Sequence, residues 1–454
     1  MTKSRILTLT AFCLLALPAV IIHFSCEMIP EDDAYITYRY VANAADGHGL
    51  VYNVEEKVFG SSTPLYVGWL ILLKTLFPTV GVDVLSVRGN VVPFLWLIGG
   101  VLALMKALCR FTGVVWCGVA LIALHPLMLN TSISGMESML FLALAIWSCW
   151  ACVRERYSLA GLLAGAATLC RPEGIFVFAS LGVWLLWTSR QRLLQLCWPY
   201  AICGFSWLIP ATLYYGSPVP HSIFAKQAPL YPLASGTAAG RTLEELTNWL
   251  GLSGLPMGAA MAYSLTFFLV FCALIYSWFC LVERRSPVLI PLTFSTSLLL
   301  FYGVTNPLMM AWYWVLLLVP LSLVFICLWD LHRGVIQDKI GSLQFRTVSV
   351  VLVGYVMLVV GGEWLRIIQV SRPVGARVAN LGRDTRGDTL RVAAYRLAAH
   401  WLSEHERRER RGPGRVAAPE IGAFGYYYPG RVLDTCGLVS PEAVPFNPVP
   451  TNDR

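Results

Sequence analysis

The sequence predicts an all-α polytopic membrane protein that ends in a small extracytoplasmic α/β appendage. Three observations predict it. Of 454 residues, 57 % are hydrophobic and only 13 % are charged, about half the charge of an ordinary soluble domain. Apolar runs near the length that crosses a bilayer core as helix, about 20 residues, recur along most of the chain. From about residue 370 onward the composition turns abruptly polar. A soluble enzyme and a disordered chain are both excluded. The net charge of +8 is no nucleic-acid signal, because the Lys and Arg lie mostly between apolar runs.

The runs occupy 5–26, 64–79, 88–108, 112–130, 137–153, 157–170, 172–189, 194–213, 257–282, 287–304, 310–330 and 347–367. The first opens Met1-Thr-Lys-Ser-Arg like a signal peptide but has no small-x-small cleavage site, so it reads as an uncleaved span. Arg154/Arg156, Arg190/Arg192, Arg284/Arg285 and Arg333/Lys339/Arg346 mark cytoplasmic turns under the positive-inside rule. An N-terminus inside and a tail outside require an odd number of spans. The run 64–79 holds Pro64, Lys74 and Pro78 and is expected to lie along the interface or enter only partly. About 11 spans remain. A transmembrane domain is expected over 1–368, with outer loops 27–63 and 214–256, and an extracytoplasmic tail over 369–454. In the tail, 389–411 reads as an amphipathic helix with Leu390, Ala393, Ala394, Leu397 and Trp401 on one face, stopped by Gly412-Pro-Gly. Residues 415–418 and 431–434 read as short strands.

Thirteen cysteines are present, and eleven sit in or beside apolar runs, where Cys acts as a small hydrophobe. Cys149 and Cys152 form a CxxC inside an expected span. Cys26 and Cys436 fall outside the spans, and a disulfide between them is open.

The first outer loop is the most informative stretch. Asp32 and Asp33 follow a span directly and open a helix that carries Arg39 and Asn43. Read alone, they are helix-capping acids. Asp46-Gly-His-Gly then turns into an extended segment that ends at Asn53, and Gly60 to Pro64 returns the chain to the membrane.

This order, DDAYI-x-x-RY-x-x-N-x-x-x-G-x-G-L-V-x-N and then G-x-x-x-PL, resembles the first outer loop of bacterial GT-C membrane glycosyltransferases. The arabinofuranosyl- and mannosyltransferase-like branch is the most similar. Ser134-Gly-Met-Glu137, Arg171-Pro-Glu-Gly174, Tyr214-Tyr-Gly-Ser-Pro-Val-Pro220 with Lys226, and Asp434-Thr-Cys-Gly-Leu438 extend the resemblance over nearly the whole chain. One departure is Phe59-Gly-Ser-Ser62, where relatives carry an acid and an aromatic. The resemblance implies a polyprenyl-phosphate sugar donor and an envelope glycan, lipid or protein acceptor. It also implies a multi-pass position in the bacterial cell membrane, no nucleic acid, and a first-loop Asp as general base.

The chemistry asks for the same groups. A carboxylate must deprotonate the acceptor hydroxyl, and cations must meet charge developing on the leaving phosphate. Asp33 is the favoured base and Asp32 its orienting neighbour. A divalent cation shared by the two is the second reading, and no resident cofactor is expected. Arg39 is open between a loop salt bridge and a phosphate contact. Glu137 is open between an interfacial acid and a paired or functional one. Arg171 and Glu173 either pair with each other or face the donor. Lys226 is a candidate phosphate ligand or a snorkelling lysine; Tyr215 and His221 lie beside it as candidate substrate contacts. Trp312-Tyr-Trp314 suits an interfacial belt first and stacking on sugar or prenyl groups second. A transporter or flippase, or a non-catalytic envelope scaffold, is the alternative class. The acids cluster in loops and the halves show no repeat, which disfavours a transporter.

Overall fold

A computed structural model describes residues 3–25, 30–227, 229–230, 232–254, 258–340, 354 and 386–448. The expected span 347–367, Cys26 and the expected domain boundary at 368/369 lie outside them. The first helix, α1 (Lys3–Ser25), leads into a helix of the first loop, α2 (Asp32–Ala45). A bundle follows: α3 (Pro64–Leu76), α4 (Val82–Gly89), α5 (Val91–Leu108), α6 (Thr112–Leu124), α7 (Pro126–Ser132), α8 (Ser138–Val153), α9 (Tyr157–Cys170), α10 (Gly174–Thr188) and α11 (Leu193–Tyr215). The second long loop carries α12 (His221–Ala225) and α13 (Thr237–Trp249), and the bundle closes with α14 (Ala259–Glu283), α15 (Leu289–Thr305) and α16 (Ala311–Ile340). The tail holds α17 (Arg386–Arg408), β1 (Arg415–Ala418), α18 (Gly422–Tyr427) and β2 (Arg431–Asp434).

The chain is an all-α multi-pass membrane protein. Among the described residues, five helices are long and apolar enough to cross a membrane, or six if the bent pair α6 and α7 is one span; five shorter apolar helices accompany them. The expected span 112–130 is the bent pair: His125 and Pro126 break it by 51°, because proline cannot continue the hydrogen-bond ladder. The expected span 88–108 extends back through α4 to Val82. Among the described residues, α16 is the most buried of the long apolar helices, at 78 %, whereas α1, α11 and α14 bury only 22 %, 17 % and 22 %.

Close approach between helices relies on small residues. A Cβ at Gly161 of α9 would strike the Leu196 carbonyl of α11, and one at Gly165 would press on Cys203. That is small-xxx-small packing, which lets backbones meet where lipid supplies no hydrophobic drive.

The two strands pair in parallel, Arg415 opposite Arg431 through Ala418 opposite Asp434, over the residues expected. The tail helix is out of phase with the expectation. Leu397 and Trp401 are 70 % and 68 % exposed, while Val392 and Ala399 are buried. The face with Leu397 and Trp401 was expected to pack, yet the helix turns inward the one with Val392, Tyr395, Ala399 and Leu402, toward α18.

Gly161→Leu should lower stability by about 1–3 kcal/mol or more through overpacking, read as a drop in the thermal unfolding midpoint in detergent, while Gly182→Leu, with open space around it, should leave the midpoint near wild type.

Candidate active site

The site forms where the loop ends of the bundle, the first loop, α12 and the tail converge. The Ser134–Glu137 turn is built on Gly135, whose φ of +77° favours glycine. The Gly135 carbonyl accepts from Tyr38 at 3.1 Å and Tyr66 at 2.7 Å, and Asn90 donates to the Met136 carbonyl at 3.0 Å. This fixes Glu137 at the start of α8. Pro172 ends α9, leaving Arg171 as its C-cap and Glu173 as the N-cap of α10.

Arg171 answers both acids. It reaches Glu137 at 2.5 Å, grips Glu173 through two nitrogens at 2.9 and 3.3 Å, and lies 4.7 Å over the Tyr313 ring. All three charged side chains are buried. Tyr302 donates to Glu173 at 3.2 Å. Glu137 is therefore a paired acid, not an interfacial one, and Arg171 and Glu173 pair as the simpler reading had it. Lys226, exposed at the end of α12, lies within electrostatic reach of Tyr313, Asp33, Glu173 and Arg171. Among the described residues, Ser222 Oγ and His221 Nε2 are buried without a hydrogen-bond partner. Ser222 and Lys226 share a face of α12 by their four-residue spacing.

The two acids of the first loop part company. Asp32 is buried, and its Oδ1 accepts the Ala423 N–H of the tail at 2.9 Å. Burial pushes its pKa up, against that hydrogen bond and the charge of Arg391. Asp33 is exposed.

Arg39 is not available to a donor phosphate. It is buried, and its guanidinium donates to Tyr52 O at 2.7 Å, Tyr428 O at 3.1 Å, Gly430 O at 2.8 Å, the Gly425 carbonyl and, more weakly, Asn53 Oδ1 at 3.4 Å. Neither alternative expected for it holds: it ties the first loop to the tail by carbonyls. Asn53 strengthens the tie by pairing its carboxamide with both backbone groups of Val432, at 3.0 and 3.1 Å. Tyr215 stacks on Phe59 at 4.9 Å and donates to Leu50 O at 2.8 Å, and the His221 backbone N–H donates to Phe59 O at 2.6 Å. These two brace the first loop against the end of α11 and the start of α12. Sequence reasoning missed Ser222 and Tyr302, and it placed Tyr313 only within the Trp312-Tyr-Trp314 motif. Only the Ser222–Lys226 spacing was a usable signal.

Breaking a buried charge pair from one side costs about 3–5 kcal/mol. Arg171→Gln should therefore lower stability by about that much, because Glu137 and Glu173 would stay buried without a cation. Adding Glu137→Gln and Glu173→Gln should recover most of the loss in thermal unfolding.

No family model matches the chain, and no curated protein matches it. Solved structures do. The archaeal oligosaccharyltransferase AglB from Archaeoglobus fulgidus, in complex with an inhibitory peptide and a dolichol-phosphate, aligns over 98 % of this chain with a TM-score of 0.60 at 11 % identity. This chain spans only 65 % of that protein's length. ArnT from Cupriavidus metallidurans, bound to undecaprenyl phosphate, aligns over 97 % of this chain and 89 % of its own, with a TM-score of 0.59 at 14 % identity. Its apo form aligns over 99 % and 90 %, at 0.59 and 15 %. At such identities the likeness is one of architecture, and the chain has the GT-C membrane fold.

Proposed function

We propose that the chain is an integral-membrane glycosyltransferase that moves a sugar from a polyprenyl-phosphate donor to an acceptor hydroxyl, with Asp33 as general base. The observation that carries this reading is the exposed Asp33 carboxylate within electrostatic reach of the Lys226 ammonium, at the end of a bundle whose fold is shared with proteins solved with lipid phosphates. The basic turns at Arg154/Arg156, Arg190/Arg192 and Arg284/Arg285 favour a cytoplasmic position for the opposite end, so the site and tail are extracytoplasmic in this reading.

In the transfer, Asp33 takes the proton from the acceptor oxygen as that oxygen bonds to the anomeric carbon. The bond from that carbon to the phosphate oxygen breaks, and the phosphate keeps the electron pair. Lys226 meets the charge that develops there, with Ser222 Oγ as a further donor. Arg171 acts at one remove, because both of its carboxylate partners already claim it; it holds Glu173 and Tyr313 around Lys226. The acceptor is an envelope glycan, lipid or protein.

The test is turnover by purified protein of a panel of polyprenyl-phosphate sugars, with products read by mass. General-base help is worth about 10²–10⁴-fold, so Asp33→Asn should lose that much transfer while the protein stays folded. Retained turnover in Asp33→Asn would overturn the reading. In the same assay Lys226→Gln should raise the donor KM by about tenfold or more, the equivalent of about 1.4 kcal/mol, with little change in the unfolding midpoint.

A further inference from the structure

Two side chains of α2 grip the two ends of α18. At its start, Asp32 accepts the Ala423 N–H at 2.9 Å. At its end, Arg39 donates to the carbonyls of Gly425, Tyr428 and Gly430. Seven residues of helix separate the grips, about 10.5 Å at 1.5 Å per residue, close to the length of the six-residue α18. The polarity fits as well: an acid meets N–H groups where a helix begins, and a cation meets carbonyls where one ends. Both points of closest approach are glycines. A Cβ at Gly422 would strike the Asp32 carbonyl, and one at Gly425 would strike the Tyr52 hydroxyl. Tyr52 itself donates to Ile421 O at 2.6 Å, just before α18.

Asp33 is the next residue on α2 and is exposed. Asp33 and Cys436 of the tail are electrostatic neighbours, with Glu420 beside them. Cys436 is half-buried, and its thiol donates to Pro419 O at 3.2 Å. The tail is thus both the surface that holds α2 and a wall near the carboxylate.

We infer that Asp32 and Arg39 are positioning residues: their clamp on α18 fixes the start of α2 and so the direction of Asp33. The role of Asp32 is then its hydrogen-bond acceptor, not its charge. This rests on Asp33 being the base, and the two ideas fail separately in the following experiment.

In the full-length protein, Asp33→Cys is oxidised with copper phenanthroline and its cross-link to Cys436 is followed by peptide mass, a readout that needs no donor. The cross-link should form, persist when Asp32→Asn is added, because the amide oxygen still accepts the Ala423 N–H, and slow by about tenfold or more when Asp32→Ala or Arg39→Gln is added. In otherwise wild-type protein, with whichever donor of the panel turns over, Asp32→Asn should keep kcat near wild type. Asp32→Ala should lose about 10²-fold, the scale of a misplaced catalytic group, with donor KM unchanged. A cross-link indifferent to Asp32→Ala and Arg39→Gln would overturn the clamp. So would Asp32→Asn as inactive as Asp32→Ala with its cross-link intact, since the charge itself would then be in use. If Arg39→Gln fails to fold, the Asn and Ala variants of Asp32 decide alone. An active Asp33→Asn would refute the base and leave the cross-linking result standing.

Discussion

Charge taken out of water has to be answered where it lies, and the loop end of this molecule is organised by that constraint. Arg171 is buried in a chain solvated by lipid, so its guanidinium requires anions, and it draws them from two other helix ends. Burying that one cation ties the starts of α8 and α10 to the end of α9. Arg39 meets the same demand without a paired carboxylate. Its acceptors are oxygens of the first loop and of the tail, so the chain cannot bury it without bringing together segments nearly 390 residues apart in sequence. A loop and a tail that would otherwise be surface pieces become one cap over the bundle. Lys226 is the exception: it stays exposed, near acids but not locked between them.

The sequence made legible what depends on local chemistry. The break at Pro172 and the two tail strands follow from proline and turn rules and stand where expected; α2 starts at Asp32, but Glu31 holds its N-cap position, so the two acids lie in its first turn and do not cap it. The bend at Pro126 is equally visible as chemistry but is masked by the continuous apolar run around it. What depends on distant partners was not legible. Arg39 reads as a loop or phosphate cation because nothing near it announces the carbonyls of Gly425 and Gly430. The tail helix offered two apolar faces, and hydropathy favours the one with Leu397 and Trp401. Which face packs depends on the contact with α18, a six-residue element with no periodic signal of its own. In the site, Glu137, Arg171 and Glu173 were legible as charged residues at span ends. Their mutual pairing was one alternative among several, because charge balance is a property of the assembled helices.

The neighbouring acids of the first loop carry the clearest lesson about adjacency. Consecutive residues on a helix point about 100° apart, so a doublet in sequence is not a pair in space. Once α2 buries one side against the tail, one acid of the doublet must turn inward and the other outward. The inward acid needs donors, and the backbone at the start of α18 supplies them. The outward acid stays exposed and within electrostatic reach of Lys226. The difference in burial between Asp32 and Asp33 therefore needs no special tuning of either carboxylate. It follows from helix geometry together with a docked tail, and an undocked tail would remove the difference between them.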